Sequence, residues 1–201
     1  VCIRWVDYDL KPHKKYFWAL QEYSDDLVIT FDDDLIYPNT LIQELLTAYK
    51  SFPNCVISAR THLIAFSDTG GLLPYSEWKL EAPIDMPELL GNPSMRLFAT
   101  SGAGTLFPPH SMPDETFNPQ KIEELCLAAD DVWLKCMQVV AGVKVVATTA
   151  NQLLTYIPDT QEVALCHSNL DRGGNDIYLQ HVLDYCSQLY PERNFLKELR
   201  D

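Results

Sequence analysis

Residues 27–38 read Leu27-Val28-Ile29-Thr30-Phe31-Asp32-Asp33-Asp34-Leu35-Ile36-Tyr37-Pro38. Leu27 to Phe31 is an apolar, β-rich run, the pattern of a strand buried on both faces of a parallel sheet. Three carboxylates follow at once. Pro38 then opens a helical pattern with Leu41, Ile42, Leu45, Leu46 and Tyr49 on one face. The acids therefore stand at the C-terminal end of a strand, where open α/β sheets place ligands. In extended geometry Asp32 and Asp34 point to the same side. Two carboxylates held together repel, and a divalent cation removes the repulsion. Mg²⁺ and Mn²⁺ favour such oxygen ligands and also bind nucleotide phosphates. The plainer alternative is an acid-rich turn that ends a strand.

Composition narrows the class. A chain of 201 residues, 47% of them hydrophobic, suits one domain over 1–201 with a real core. No apolar stretch approaches the length of a membrane span, and the first residues lack signal-peptide architecture. The net charge of −13 argues against a general nucleic-acid or anionic-membrane binder, leaving room for a local basic site around Lys14 and Lys15. The six cysteines, Cys2, Cys55, Cys126, Cys136, Cys166 and Cys186, form no C-x-x-C pair. Their apolar settings read as buried, reduced thiols of a cytosolic protein.

Strand and helix patterns alternate along the chain. Cys2 to Val6 is a short strand candidate, and Pro12 to Tyr23 a helix carrying Tyr16, Phe17, Leu20 and Tyr23. The strand 27–31 and the helix 38–51 follow, then a strand from Cys55 to Ala59. This β-α-β-α-β order predicts a mostly parallel sheet with right-handed crossovers. Residues 67–96, with Gly70-Gly71 and four prolines, break the rhythm as a long, partly structured loop. Short strands are expected at 97–100 and 105–107. A helix at 131–141 turns Val132, Trp133, Cys136, Met137 and Val140 inward. A strand at 143–147 and a helix at 174–189 complete the pattern, the helix packing through Ile177, Val182, Tyr185 and Leu189.

Three further constellations carry chemistry. Asp130 and Asp131 precede a strongly apolar helix face. One acid is covered by a capping role; the second would project into a cleft as a general base on an acceptor hydroxyl. Ser101-Gly102-Ala103-Gly104-Thr105 would let backbone approach a ligand, though a tight turn explains it equally well. Cys166-His167-Ser168-Asn169 offers His167 as a further metal ligand, against the plainer reading of a surface histidine. Asn175 and Asp176 read as caps of the last helix. Arg60 and His62, beyond a strand end, would meet a phosphate or sugar, the alternative being an exposed polar turn.

The ordered set of Asp32-Asp33-Asp34 after a β-α unit, a Gly-x-Gly segment and an Asp-Asp at a helix start resembles GT-A-type glycosyltransferases. The stretches Pro12-His13-Lys14-Lys15-Tyr16, Phe31 to Pro38 and Gly174-Asn175-Asp176 are similar to bacterial glycosyltransferases of surface-polysaccharide synthesis, over nearly the whole chain. The resemblance implies a GT-A-like α/β fold, a nucleotide-sugar donor (UDP-sugars first), Mn²⁺ or Mg²⁺, a saccharide acceptor and no nucleic acid. It implies a cytoplasmic enzyme, with peripheral membrane association through the acceptor as an option. Asp34 matches the acid that binds the metal directly, and Asp32 the one near the ribose or the metal's water shell. Asp33, Lys14, Lys15, Arg60, Gly102 and Gly104 fall on the donor side. Asp131, beside Asp130, matches the base of inverting members; without an acid behind the anomeric carbon, retention is expected instead. Such enzymes begin with a β-α unit that holds base and ribose. No matching unit precedes Cys2, so the expectation is a fold lacking that unit, with weakened donor binding. Two other classes share the paired carboxylates or the aromatics: a nucleotidyltransferase, and a non-catalytic sugar-binding domain using Tyr75, Trp78 or Trp133.

Overall fold

The apolar run before the three aspartates forms a strand, but at the edge of its sheet. The computed structural model describes residues 2–149, 153–158, 160 and 174–201. In chain order the elements are α1 (Phe17–Glu22), β1 (Val28–Thr30), β2 (Leu35–Ile36), α2 (Leu41–Ser51), β3 (Val56–Ser58), β4 (Thr61–Leu63), β5 (Leu97–Ala99), β6 (Thr105–Phe107), α3 (Pro119–Leu125), α4 (Asp130–Ala141), β7 (Val145–Ala147), β8 (Thr155–Tyr156), α5 (Gly174–Leu189) and α6 (Phe195–Glu198). The protein is α/β, with a mixed sheet ordered β1-β6-β3-β7.

The mostly parallel sheet expected from the sequence is corrected here. β3 and β7 pair in parallel, Ile57 facing Val146, but β6 runs antiparallel between β1 and β3. β1, β3 and β7 share one direction, as the β-α-β rhythm requires. The short reversal through residues 100–104 then sends β6 back between two of them. At the edge, Val28 and Ile29 are only half-buried and Phe31 is exposed. Burial on both faces is met instead in β3, β6 and β7.

Those strands explain the core. Val56, Phe107, Val145 and Ala147 join one cluster, while Ile57, Leu106 and Val146 join another with Leu41 and Leu45 of α2. The alternation follows from the two-residue period of a strand with both faces covered, and the two buried polar residues of these strands, Ser58 and Thr105, hydrogen-bond each other at 3.1 Å. The larger cluster takes in α1, α4 and α5. Val132, Trp133, Leu134, Cys136, Met137 and Val139 make α4 apolar around most of its circumference, and it is correspondingly buried.

Other departures have local causes. Cys2 to Val6 forms no strand; Ile3 and Trp5 are exposed. The helix expected from Pro12 starts as a 3-10 turn over Lys11–Lys15, and the α-helix begins only at Phe17. In α5 the buried residues are Leu179, Val182, Leu183 and Cys186, while Ile177 and Leu189 are exposed. Among the described cysteines, all free, Cys126, Cys136 and Cys186 are buried, Cys55 is half-buried and Cys2 is exposed. Cys166 lies outside the described residues. Within 67–96, three 3-10 turns and bridges such as Leu63 to Lys79 and Ser94 to Val145 tie the segment to the sheets. No helix among the described residues is long and apolar enough to cross a membrane.

Candidate active site

Beyond Thr30 the chain leaves the sheet and turns at Asp33 and Asp34 into β2, which pairs with β8. The extended geometry expected for Asp32 to Asp34 is replaced by this turn, yet all three acids line one cleft of about 470 Å³. Lys15, Arg60, His62, Tyr75, Gly102, Asp130, Asp131 and Asn175 line it too.

Asp32 is held from its backbone. Its N–H donates to the Tyr37 hydroxyl at 2.7 Å and to Gly102 O at 3.1 Å, and the Tyr37 hydroxyl donates to Gly102 O at 2.6 Å. Gly102 is required by close approach: a Cβ there would fall 1.6 Å from Asp32 Oδ2. Gly104 serves the fold instead. Its φ of +100° suits glycine, and a Cβ would meet Leu41 of α2 at 2.9 Å. It does not line the cleft.

The two acids that open α4 take different environments from one serine. Asp130 Oδ2 accepts from Ser101 Oγ at 2.6 Å and lies 3.2 Å from Lys15 Nζ. Asp131 Oδ1 accepts from the Ser101 N–H at 2.7 Å. Neither acid is the cap; that position is Ala129, with no side-chain cap bond. Burial pushes the Asp130 carboxyl up, but the Lys15 ammonium and the Ser101 hydroxyl outweigh it and hold it below the usual carboxylate range. Asp131 goes the other way: burial and the neighbouring Asp130 push it up to about 7. Such a split between adjacent acids is a frequent mark of functional sites.

Lys15 bridges the two ends. Its Nζ lies 2.7 Å from Asp32 Oδ1, opposite the contact with Asp130. Burial disfavours its charge, but Asp130, Asp32 and Asp131 more than compensate and raise its proton affinity. Lys14, expected on the donor side, is exposed and paired with Asp9 at 2.8 Å, outside the cleft. The backbone of Lys15 is fixed by His13, which is fully buried. His13 Nε2–H donates to Cys126 O at 2.9 Å, and Nδ1 accepts from the Tyr16 hydroxyl at 2.7 Å. Burial lowers the proton affinity of this imidazole.

At the far wall Arg60 pairs with Glu81, whose φ of +44° is left-handed. The Glu81 N–H donates to His62 Nδ1 at 3.0 Å, and burial with the Arg60 charge pushes His62 down to about 3. Asp176, read as a cap, instead accepts from the Tyr75 N–H at 2.7 Å and ties α5 to the cleft wall. His167 lies outside the described residues.

Sequence reasoning therefore placed Asp32, Asp33, Asp34, Lys15, Arg60, Gly102, Asp130 and Asp131 on one cleft, and the structure brings them together. It missed Ser101, Tyr37 and His13. Their only signals were the Ser-Gly-x-Gly segment, the tyrosine after the acids and the histidine inside Pro12-His13-Lys14-Lys15. Comparison with known proteins adds nothing: no family model, no curated protein and no solved structure matches the chain.

Proposed function

We propose that the protein transfers a sugar from a nucleotide-diphospho-sugar, a UDP-sugar first among donors, to a saccharide hydroxyl. Surface-polysaccharide synthesis belongs to the same proposal. One observation carries it: acids about a hundred residues apart, Asp32 to Asp34 and Asp130 to Asp131, share a cleft in which Lys15 lowers the proton affinity of Asp130 while burial and the Asp130 charge raise that of Asp131. The volume is in the range of small-molecule sites.

The expected ion is Mn²⁺ or Mg²⁺. Their oxygen donors suit a hard cation, and the ammonium against Asp32 is a stand-in for one. Asp34 and Asp32 would hold the ion. No group of three His, Cys, Asp or Glu among the described residues is placed to complete its shell. When bound, the ion supplies positive charge at the donor's diphosphate.

The chain's own residues account for the acceptor side. The acceptor oxygen attacks the anomeric carbon, the bond from that carbon to the diphosphate oxygen breaks, and the hydroxyl proton passes to the Asp131 carboxylate. The Ser101 N–H keeps Asp131 aimed while its other oxygen receives the proton. Arg60, expected on the donor side, lines the cleft beside the aromatic wall of His62, Phe98 and Tyr75.

A panel of nucleotide-sugars incubated with Mn²⁺, with product analysis, tests the reading. Release of nucleoside diphosphate with glycosylated acceptor is expected. Pyrophosphate release would replace it with a nucleotidyltransferase, and saccharide binding without turnover would replace it with a binding domain.

A further inference from the structure

We propose that Lys15 is a resident counter-cation that competes with a divalent ion for Asp32 and is handed to Asp130 when the ion binds. The inference rests on the donor-site reading above. Three fixed points define the exchange. The Asp32 backbone is held by its N–H bonds, and its carboxylate lies against Gly102. Asp130 is pinned by the Ser101 hydroxyl. The Lys15 backbone closes a 3-10 turn anchored by buried His13 on Cys126 O. The lysine side chain stands between the two carboxylates, 2.7 Å from one and 3.2 Å from the other.

A hard divalent ion sits about 2.0–2.2 Å from its carboxylate oxygens. An ammonium in contact with the same carboxylate is then repelled at short range, and with 16% of the side chain exposed, water screens the repulsion only in part. The nearest relief is Asp130, already within reach. Asp32 thus exchanges one cation for another while Lys15 stays in the cleft. The consequence is a link between the two ends of the site: a cation arriving at Asp32 strengthens the neutralisation of Asp130, next to the acid proposed as base. In the ion-free protein the lysine keeps the acids from repelling one another and holds β1 against α4.

The test is calorimetric titration of Mn²⁺ alone into four proteins: wild type, Lys15→Met, Asp130→Asn and the double variant, each checked for native circular dichroism. Lys15→Met is expected to bind Mn²⁺ on the order of tenfold tighter, because the competing charge is gone. Asp130→Asn should bind it several-fold more weakly, since Lys15 then rests wholly on Asp32. In the double variant that second effect should vanish, so the two changes are coupled through the lysine. Lys15→Met leaves the buried Asp130 uncompensated. If it does not fold, comparing the double variant with Asp130→Asn reads the same competition. Unchanged or weaker Mn²⁺ binding on removal of Lys15 would overturn the proposal, as would an equal Asp130→Asn effect in both backgrounds. Absence of Mn²⁺ binding in all four would overturn it together with the metal reading. Wild-type binding without the Lys15 effect sinks the exchange alone.

Discussion

Lys135→Met should stabilise the protein, and by an amount that depends on pH. Lys135 sits on α4, five residues after Asp130, and is 1% exposed. Its Nζ donates to Leu97 O at 2.9 Å. Among the described residues no carboxylate pairs with it, and burial pushes the amine down from 10.5 to about 7. That drop corresponds to about 5 kcal/mol of cost for keeping or removing the charge in the folded state. The sign follows from proton counting. Between about 7 and 10.5 the unfolded lysine carries a proton that the folded one has shed. Unfolding takes up a proton there, so this group makes stability rise with pH through that window, and its penalty is fullest below about 7. Methionine has nearly the same length and no charge to desolvate. It leaves the Leu97 carbonyl short of one donor, at about 1–2 kcal/mol. The net expectation is a gain of about 3 kcal/mol near neutral pH, shrinking to about zero near pH 9.5. Urea denaturation of both proteins at the two pH values measures this. A variant less stable than wild type by the same amount at both would refute the reasoning, and would mean that the lysine charge is compensated in the core.

Gly102→Ala puts a methyl group 1.6 Å from the present position of Asp32 Oδ2, so the carboxylate must move and its pairing with Lys15 must open; Mn²⁺ affinity should fall at least about tenfold, with a thermal-melt loss typical of overpacking. Unaltered Mn²⁺ titration would show that Asp32 is not a ligand. Asp34→Asn should abolish metal-dependent donor binding while circular dichroism stays native, because Asn keeps the shape and loses the charge. Asp131→Asn should spare donor binding and lower kcat by on the order of a hundredfold or more. Since Asp131 is raised from 3.8 to about 7, the folded state holds the extra proton and wild-type stability should fall as pH rises through that window, a slope the Asn variant should lack. The wild-type rate should rise with pH through about 7; a flat profile would remove Asp131 as base.

The elements legible in the sequence are those with strong local patterning. β6 at Thr105–Phe107 and α5 at Gly174–Leu189 fall where the pattern put them. α4 is correct to one residue at its start, because its apolar faces leave no other period. Strand order was out of reach. Nothing local in Thr105-Leu106-Phe107 distinguishes an antiparallel insertion between β1 and β3 from a parallel neighbour; that is decided by the reversal at residues 100–104 and by which apolar faces remain to be covered. The same limit hid the edge position of β1, since Leu27 to Phe31 is apolar enough for a central strand. Pro12 misled in a simpler way: it started a turn as expected, but a 3-10 turn, and buried His13 bound Cys126 O across the fold rather than extending a helix.

Within the cleft, residue identity was legible and the division of labour was not. Asp130 and Asp131 are chemically identical neighbours, and the sequence separates them only by a guess about which one caps the helix. The structure separates them by what reaches them. Ser101 presents its hydroxyl to Asp130 and its backbone N–H to Asp131, and only Asp130 touches the Lys15 ammonium. An acid that is deeply buried, hydrogen-bonded and ion-paired has its lone pairs committed and its proton affinity lowered, which makes it a poor base. Its charge instead raises the affinity of its half-buried neighbour, which lines the cleft. A base for a sugar hydroxyl needs that combination: an oxygen open to the ligand, a proton affinity close to neutrality and a second oxygen held still. In the proposed transfer Asp131 is therefore the base and Asp130 the group that tunes it, a distinction resting on the Lys15 ammonium that touches Asp130 and not Asp131.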